Sequence, residues 1–148
     1  MPATYCSLHY HLIFSTKDRV PLLTDDWRGE MHAYLGGIVK NLNGIPVATG
    51  GVEDHVHMLV GLRATHCLSD VLRELKSGSS EWAHTTAGKK AFAWQPGYFG
   101  STVSPSQIEK VRQYILTQEE HHRRKSFREE YLEILQLCGI EYDERYAW

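Results

Sequence analysis

The chain has 148 residues with 42% hydrophobic and 23% charged side chains, and a formal net charge of −2. Those proportions suit one folded domain and argue against a disordered or fibrous chain. No apolar run approaches the ~18 residues of a membrane-spanning helix, and the N-terminus lacks the form of a signal peptide.

A soluble, cytoplasmic, single-domain protein over residues 1–148 is therefore expected. Cys6, Cys67 and Cys138 are an odd, scattered set, which argues against a disulfide framework and against a zinc ribbon. The charge is uneven. Residues 129–148 hold six acids and one base, leaving residues 1–128 with 12 acids and 15 bases, a net +3. A mildly basic body thus precedes an acidic tail at about 139–148. Such a body permits phosphate contact without demanding it.

In chain order, residues 4–14 are rich in aromatic and β-branched side chains and predict a first strand, followed by the basic turn Ser15–Arg19. Thr24 before Asp25 and Asp26 predicts a helix start, and that helix should run to about Lys40, closed by Asn43-Gly44. Ile45–Val52 and His55–Leu62 read as a second and a third strand. Leu68, Val71, Leu72 and Leu75 fall at helical spacing, and the helix they begin should continue towards Trp82. Phe92–Gln95 and Tyr98–Val103 look like short strands around Pro96-Gly97. Ser104-Pro105-Ser106-Gln107 predicts the start of a helix reaching roughly Glu120, and Ser126-x-x-Glu129 opens a last helix that closes at Cys138-Gly139. Short turns between neighbouring strands, with two crossover helices, predict an α+β fold built on a ferredoxin-like antiparallel sheet packed with helices.

Two His-x-His pairs stand out, His9/His11 and His55/His57. Strand residues i and i+2 share a face, so either pair could share a metal ion. Val56, Met58 and Val60 take the opposite face of the third strand. The plainer alternative is hydrogen-bonded histidines without metal, and spacing does not choose between the pairs. On the helix from Pro105, Ile108, Val111 and Ile115 form an apolar stripe. Tyr114 and Gln118 lie at its edge, about 40° apart at ~100° per residue. Alone, they also fit a boundary tyrosine and a solvated glutamine.

Gly51-Val52-Glu53-Asp54-His55-Val56-His57-Met58-Leu59-Val60 closely resembles the His-hydrophobe-His strand of the single-strand insertion-sequence transposases with one catalytic tyrosine, the IS200-like branch of the HUH class. Tyr10–Arg19 resembles the first strand and basic turn of that family, and Leu75–Ser80 its second-helix segment. Trp94–Phe99 with Ser101–Ser104 resembles its hairpin, and Tyr114–Gln118 supplies the tyrosine and glutamine at the family spacing. The five segments occur in order over nearly the whole chain.

The resemblance implies a tyrosine nucleophile, Tyr114, on a helix in the C-terminal half. It also implies a divalent metal, Mg²⁺ or Mn²⁺, on His55, His57 and Gln118, with His11 in the first strand but not a ligand. The implied reaction is cleavage and rejoining of single-stranded DNA at insertion-sequence ends. Tyr114 attacks phosphorus, a 3′-hydroxyl leaves, and a 5′-phosphotyrosine remains. Lys17, Arg19 and Lys76 match basic DNA-contacting positions. Arg123, Arg124, Lys125 and Arg128 form a further basic run, and Trp82, Trp94, Tyr98 or Phe99 could stack on bases.

Implied partners are single-stranded DNA with hairpin-forming ends and a second copy of the chain, in a homodimer with composite active sites. No nucleotide cofactor is expected, because covalent capture conserves the phosphodiester energy. Competing readings are a domesticated branch linked to palindromic repeats and a DNA-hairpin-binding module without catalysis. Replication initiators and relaxases share the paired histidines, though the chain is short for a relaxase.

Overall fold

The computed structural model describes residues 3–143, so the expected acidic tail lies outside the described residues from position 144 onward. Four strands form one antiparallel sheet: β1 (Leu8–Ser15), β2 (Ile45–Val52), β3 (His55–Leu62) and β4 (Phe99–Val103), in the order β2-β3-β1-β4. Helix α1 (Asp25–Asn41) links β1 to β2, and α2 (Leu68–Thr85) links β3 to β4. This is the expected α+β, ferredoxin-like arrangement. No described helix is long and apolar enough to cross a membrane.

Strand alternation divides the sheet chemically. Leu12 and Phe14 of β1, with Val56, Met58 and Val60 of β3, face Trp27, Met31, Leu35 and Val39 of α1 and Val71, Leu72 and Leu75 of α2. These residues form the main core. The other face carries His11 and Ile13 of β1 and His55, His57 and Leu59 of β3. On it lie α3 (Ile108–Leu116), α4 (Gln118–His121) and α5 (Phe127–Leu137). His11 opposes Leu59 and Ile13 opposes His57, which makes His11 and His57 diagonal neighbours on that face.

Two local expectations are corrected. Residues 92–95 form no strand: only Trp94 makes an isolated bridge, to Thr16, while Gln95 N–H donates to Ser15 O at 2.9 Å. The Phe92 and Trp94 rings enter the main core against Trp27 and Phe14, which draws this segment to the end of β1 rather than onto β4. The helix expected from Pro105 to Glu120 is also not continuous. Pro105–Gln107 form a 3-10 turn before α3, and Thr117 leaves helical geometry (φ −112°, ψ 26°) between α3 and α4. Its hydroxyl donates to Gln113 O at 2.9 Å, the local back-bonding that competes with a regular helix. The last helix starts as expected, with Ser126 Oγ accepting from Glu129 N–H at 3.2 Å.

Gly50 lets the second layer approach. It pairs with His57 in the β2–β3 register, and a Cβ built on it would lie 2.0 Å from Ile115 O of α3. Only a residue without a side chain permits that contact. It seats the helix carrying Tyr114 directly over the histidine strand, with Ile115 buried against Ala48, Leu59 and Val103.

Candidate active site

His55 and His57 are fully buried, and each ring is oriented through its Nδ1. His55 Nδ1 donates to Asp54 Oδ1 at 2.7 Å, and the ring stacks on Phe127 of α5 with centroids 3.8 Å apart. His57 Nδ1 pairs with His11 Nε2 at 2.8 Å. Both Nε2 atoms therefore point away from β3 towards α4 and α5. At His55, the carboxylate acceptor on the far nitrogen is the arrangement that orients metal-binding histidines.

Gln118, also buried, sets its Oε1 3.3 Å from His55 Nε2, while its amide nitrogen donates to Glu130 Oε2 at 3.2 Å. Its oxygen is thus turned to the histidine side and its donor away from it. Tyr114 is half-buried, with its ring centroid 5.7 Å from that of His57, and its hydroxyl donates to Glu130 Oε2. The four residues expected to form the site, Tyr114, His55, His57 and Gln118, are brought together within one chain.

His9 lies apart from them, bonded only weakly to Ser7 at 3.5 Å. The tyrosine ring lies against one member of each His-x-His pair, His57 at 5.7 Å and His11 at 6.3 Å between centroids, and only the second pair turns both Nε2 atoms towards Glu130. His11 is bonded to the ring of His57 and also lines the cleft beside Tyr114.

Two members of the cluster were not anticipated. His122 Nε2 lies 3.0 Å from Gln118 Oε1 and 3.3 Å from Glu130 Oε1. Glu130, buried in α5, also sets Oε1 3.1 Å from His57 Nε2 and 3.6 Å from His55 Nε2. His122 follows Gln118 by four residues as Gln118 follows Tyr114, so continuing the helical spacing would have found it. No spacing marks Glu130, whose place depends on how α5 folds back onto the sheet.

Electrostatics follow from this packing. Burial pushes His57 down to about 4, only partly offset by Glu130, so this ring stays neutral. Burial likewise lowers His11 to about 3, reinforced by His57. At His55 burial opposes the charge, but hydrogen bonds with Asp54 and Glu130 outweigh it and raise the pKa above the ordinary histidine value. Burial would raise Glu130, yet its hydrogen bonds with His122, His55 and His57 hold it well below the usual carboxylate range. Burial, then the bond to Glu130, raises the Tyr114 phenol.

The family model described as transposase, IS200-like, matches residues 4–118, which contain Tyr114, His55, His57 and Gln118. The chain belongs to the IS200-like transposase family. Its fold is similar to that of a candidate transposase from Deinococcus radiodurans R1, at 27% identity and a TM-score of 0.62. That match covers 78% of this chain and 93% of the other. It is also similar to a REP-associated tyrosine transposase bound to a REP hairpin, at 16% identity and a TM-score of 0.57, over 78% of this chain and 68% of the other. No curated protein matches the chain. His122 and Glu130 lie beyond the segment that this family transposase shares with the family model.

The expected DNA-contacting residues are dispersed. Lys17 is exposed and Arg19 half-buried, at the two ends of a 3-10 turn. Lys76 instead donates to Gln95 O at 2.7 Å and Gly97 O at 2.5 Å, so it braces the loop before β4. Arg124 and Lys125 line a cleft of about 640 Å³ shared with Tyr114 and Glu130, although Glu120 and Glu133 line it too. Among the four aromatic residues considered for stacking, Phe99 is buried and Trp82 and Trp94 are half-buried against other rings, whereas Tyr98 is exposed.

Proposed function

We propose that the chain is a metal-dependent tyrosine DNA transposase that cleaves and rejoins single-stranded DNA. Tyr114 is the nucleophile, and His55, His57 and Gln118 hold a divalent cation, Mg²⁺ or Mn²⁺. The observation that carries this reading is the convergence of the Tyr114 hydroxyl, two inward-facing imidazole Nε2 atoms and the Gln118 carbonyl within one member of a transposase family. The donor set fits such an ion. Asp54 keeps the proton of His55 on Nδ1, His57 is held neutral by burial, and the Gln118 oxygen is turned inward.

A bound cation of this class would polarise a phosphodiester and offset the charge gathering on its oxygens. The protein's own residues do the positioning. Gly50 allows α3 to bring Tyr114 against β3, and Glu130 Oε2 accepts the phenol O–H and fixes its direction. Attack by Tyr114 Oη on phosphorus forms the O–P bond of a 5′-phosphotyrosine and releases the 3′-hydroxyl of the cut strand. A 3′-hydroxyl of another strand reverses the exchange, so no nucleotide is consumed.

The partner proposed is single-stranded DNA with hairpin-forming ends. Arg124 and Lys125 beside the Tyr114 cleft, with Lys17 and Arg19, support a backbone contact. A palindrome-repeat role with the same chemistry is the second reading, because one structural neighbour is bound to a REP hairpin. A homodimer is part of the proposal; the family resemblance implies composite sites, whereas the approach of Tyr114 and Gln118 to His55 and His57 of the same chain supports a site built within one subunit.

The test is incubation of the protein with labelled single-stranded DNA from the flanks of its gene and Mn²⁺. A covalent protein–DNA band is expected from the parent chain and none from Tyr114→Phe or His57→Ala, with His9→Ala unaffected. A band of parent intensity from Tyr114→Phe refutes the assignment.

A further inference from the structure

The geometry points to His122 and Glu130 as two further metal ligands, which make the site a shell of three imidazoles, one amide oxygen and one carboxylate oxygen. This inference rests on the metal-site reading proposed above. Its first support is that several contacts among the inward-facing donors stand near the separations a bound ion would impose. Ligands at about 2.1 Å from a common centre are separated by roughly 3.0 Å in an octahedron and roughly 3.4 Å in a tetrahedron.

The contacts present are 3.1 Å from Glu130 Oε1 to His57 Nε2, 3.3 Å to His122 Nε2 and 3.6 Å to His55 Nε2. Gln118 Oε1 stands 3.3 Å from His55 Nε2 and 3.0 Å from His122 Nε2. The donor atoms of His55, His122 and Glu130 all lie within 4.8 Å of one another, whereas His57 joins this group through Glu130 Oε1, so its ring has to close in on the ion as the shell forms.

The second support is orientation. An ionised carboxylate only accepts, so Asp54 holds a proton of His55 on Nδ1 and makes Nε2 the nitrogen that would ligate once the ring is neutral. His122 stands one turn beyond Gln118 and sends Nε2 to the same oxygen atoms. Glu130 is 4% exposed and sits in the middle of the set rather than at its rim. Its two oxygens have different neighbours: Oε1 faces the imidazoles, while Oε2 receives Tyr114 O–H and the Gln118 amide.

With an ion bound, Glu130 would serve it through Oε1 while Oε2 accepts from Tyr114, and its charge would offset one unit of the ion's in a site whose other four donors are neutral. Five protein donors leave one position of an octahedral ion for a phosphate oxygen. The mixed shell, with three nitrogens, also favours Mn²⁺ over Mg²⁺ more strongly than two imidazoles and an amide would.

Mn²⁺ binding to the full chain by titration, with electron spin-echo modulation to count coordinated imidazoles, tests this without DNA. Three imidazole nitrogens are expected in the parent and two in His122→Ala. Affinity should weaken at least about tenfold in Glu130→Gln and in His122→Ala. Melting profiles in EDTA establish that each variant is folded, and the imidazole count in the parent needs no variant at all. An imidazole count unchanged between the parent and His122→Ala overturns His122 as a ligand, parent affinity in Glu130→Gln overturns Glu130, and binding lost in His57→Ala beside either result leaves the metal reading standing. No Mn²⁺ binding by the parent overturns both.

Discussion

Gly50→Ala tests the close approach on which the geometry of the site depends. The added Cβ would stand 2.0 Å from Ile115 O, whereas ordinary van der Waals contact begins near 3.4 Å. Helix α3 would thus have to retreat by about 1.4 Å, carrying Tyr114 with it. Overpacking of this kind costs about 1–3 kcal/mol, and for a chain of this size the melting temperature should fall by roughly 3–10 °C. A displacement of about 1 Å at a reacting group costs on the order of 100-fold in rate, so formation of the covalent DNA complex should slow by about that factor.

The control is Gly37→Ala, because a Cβ there meets nothing within 4 Å and the site is helical. It should leave the rate alone and stabilise the chain by up to about 1 kcal/mol. Thermal melts and single-turnover gel assays of both variants decide the matter. A Gly50→Ala protein with the parent's melting temperature and rate would refute the argument that this glycine seats α3.

Other outcomes follow from buried titratable groups and from the arrangement of the site. Burial, then Arg28, lowers His32 to about 4, and its Nε2 is buried without a hydrogen-bond partner. The unfolded chain binds this proton more readily than the folded one, so the stability contribution is present above about pH 6.5 and is lost as pH falls towards 4, amounting to about 2 kcal/mol by pH 5. His32→Leu should flatten the pH dependence of urea midpoints between pH 7.5 and 5, and an unchanged slope would refute the assignment. His55 titrates above its ordinary value, and a cation must displace that proton. Mn²⁺ affinity measured by titration should therefore begin to decline before the pH falls to the ordinary histidine value, and a constant affinity down to pH 6 would contradict it. Mixing Tyr114→Phe with His57→Ala protein separates the two ways of assembling the site. Recovered covalent product would establish composite sites between subunits, and none is expected if each chain uses its own tyrosine.

The histidine strand was legible because alternation is local. Val56, Met58 and Val60 had to face the main core, which put His55 and His57 together on the other face. Spacing placed Tyr114 and Gln118 at one helix edge and their roles came only from the family resemblance, while the break at Thr117 was not legible, since nothing in the residue pattern signals the bond from its hydroxyl to Gln113 O. His122 stood at the next step of the same spacing and was passed over.

Glu130 could not be read at all. Its position follows from Phe127 stacking on His55 and from Phe127 and Leu135 packing with Ile13 and Phe99, contacts between segments more than seventy residues apart for His55 and more than a hundred for Ile13. The segment at 92–95 misled because its aromatic residues, read as strand formers, serve the core beneath α1 instead. Strand and helix periods predict which residues share a surface, whereas the register between distant segments is decided by packing.

The unequal apolar content of the two sides of the sheet has a dynamic consequence. Fifteen buried apolar side chains join α1 and α2 to one side, whereas two separate clusters of four join the opposite layer. Free energies of local opening track such packing, so amides of α3 and α5 should exchange with deuterium well before those of α1 and α2. The protein is thus built as a durable platform carrying a looser cover, and a long polymer strand could enter beneath that cover without disturbing the platform.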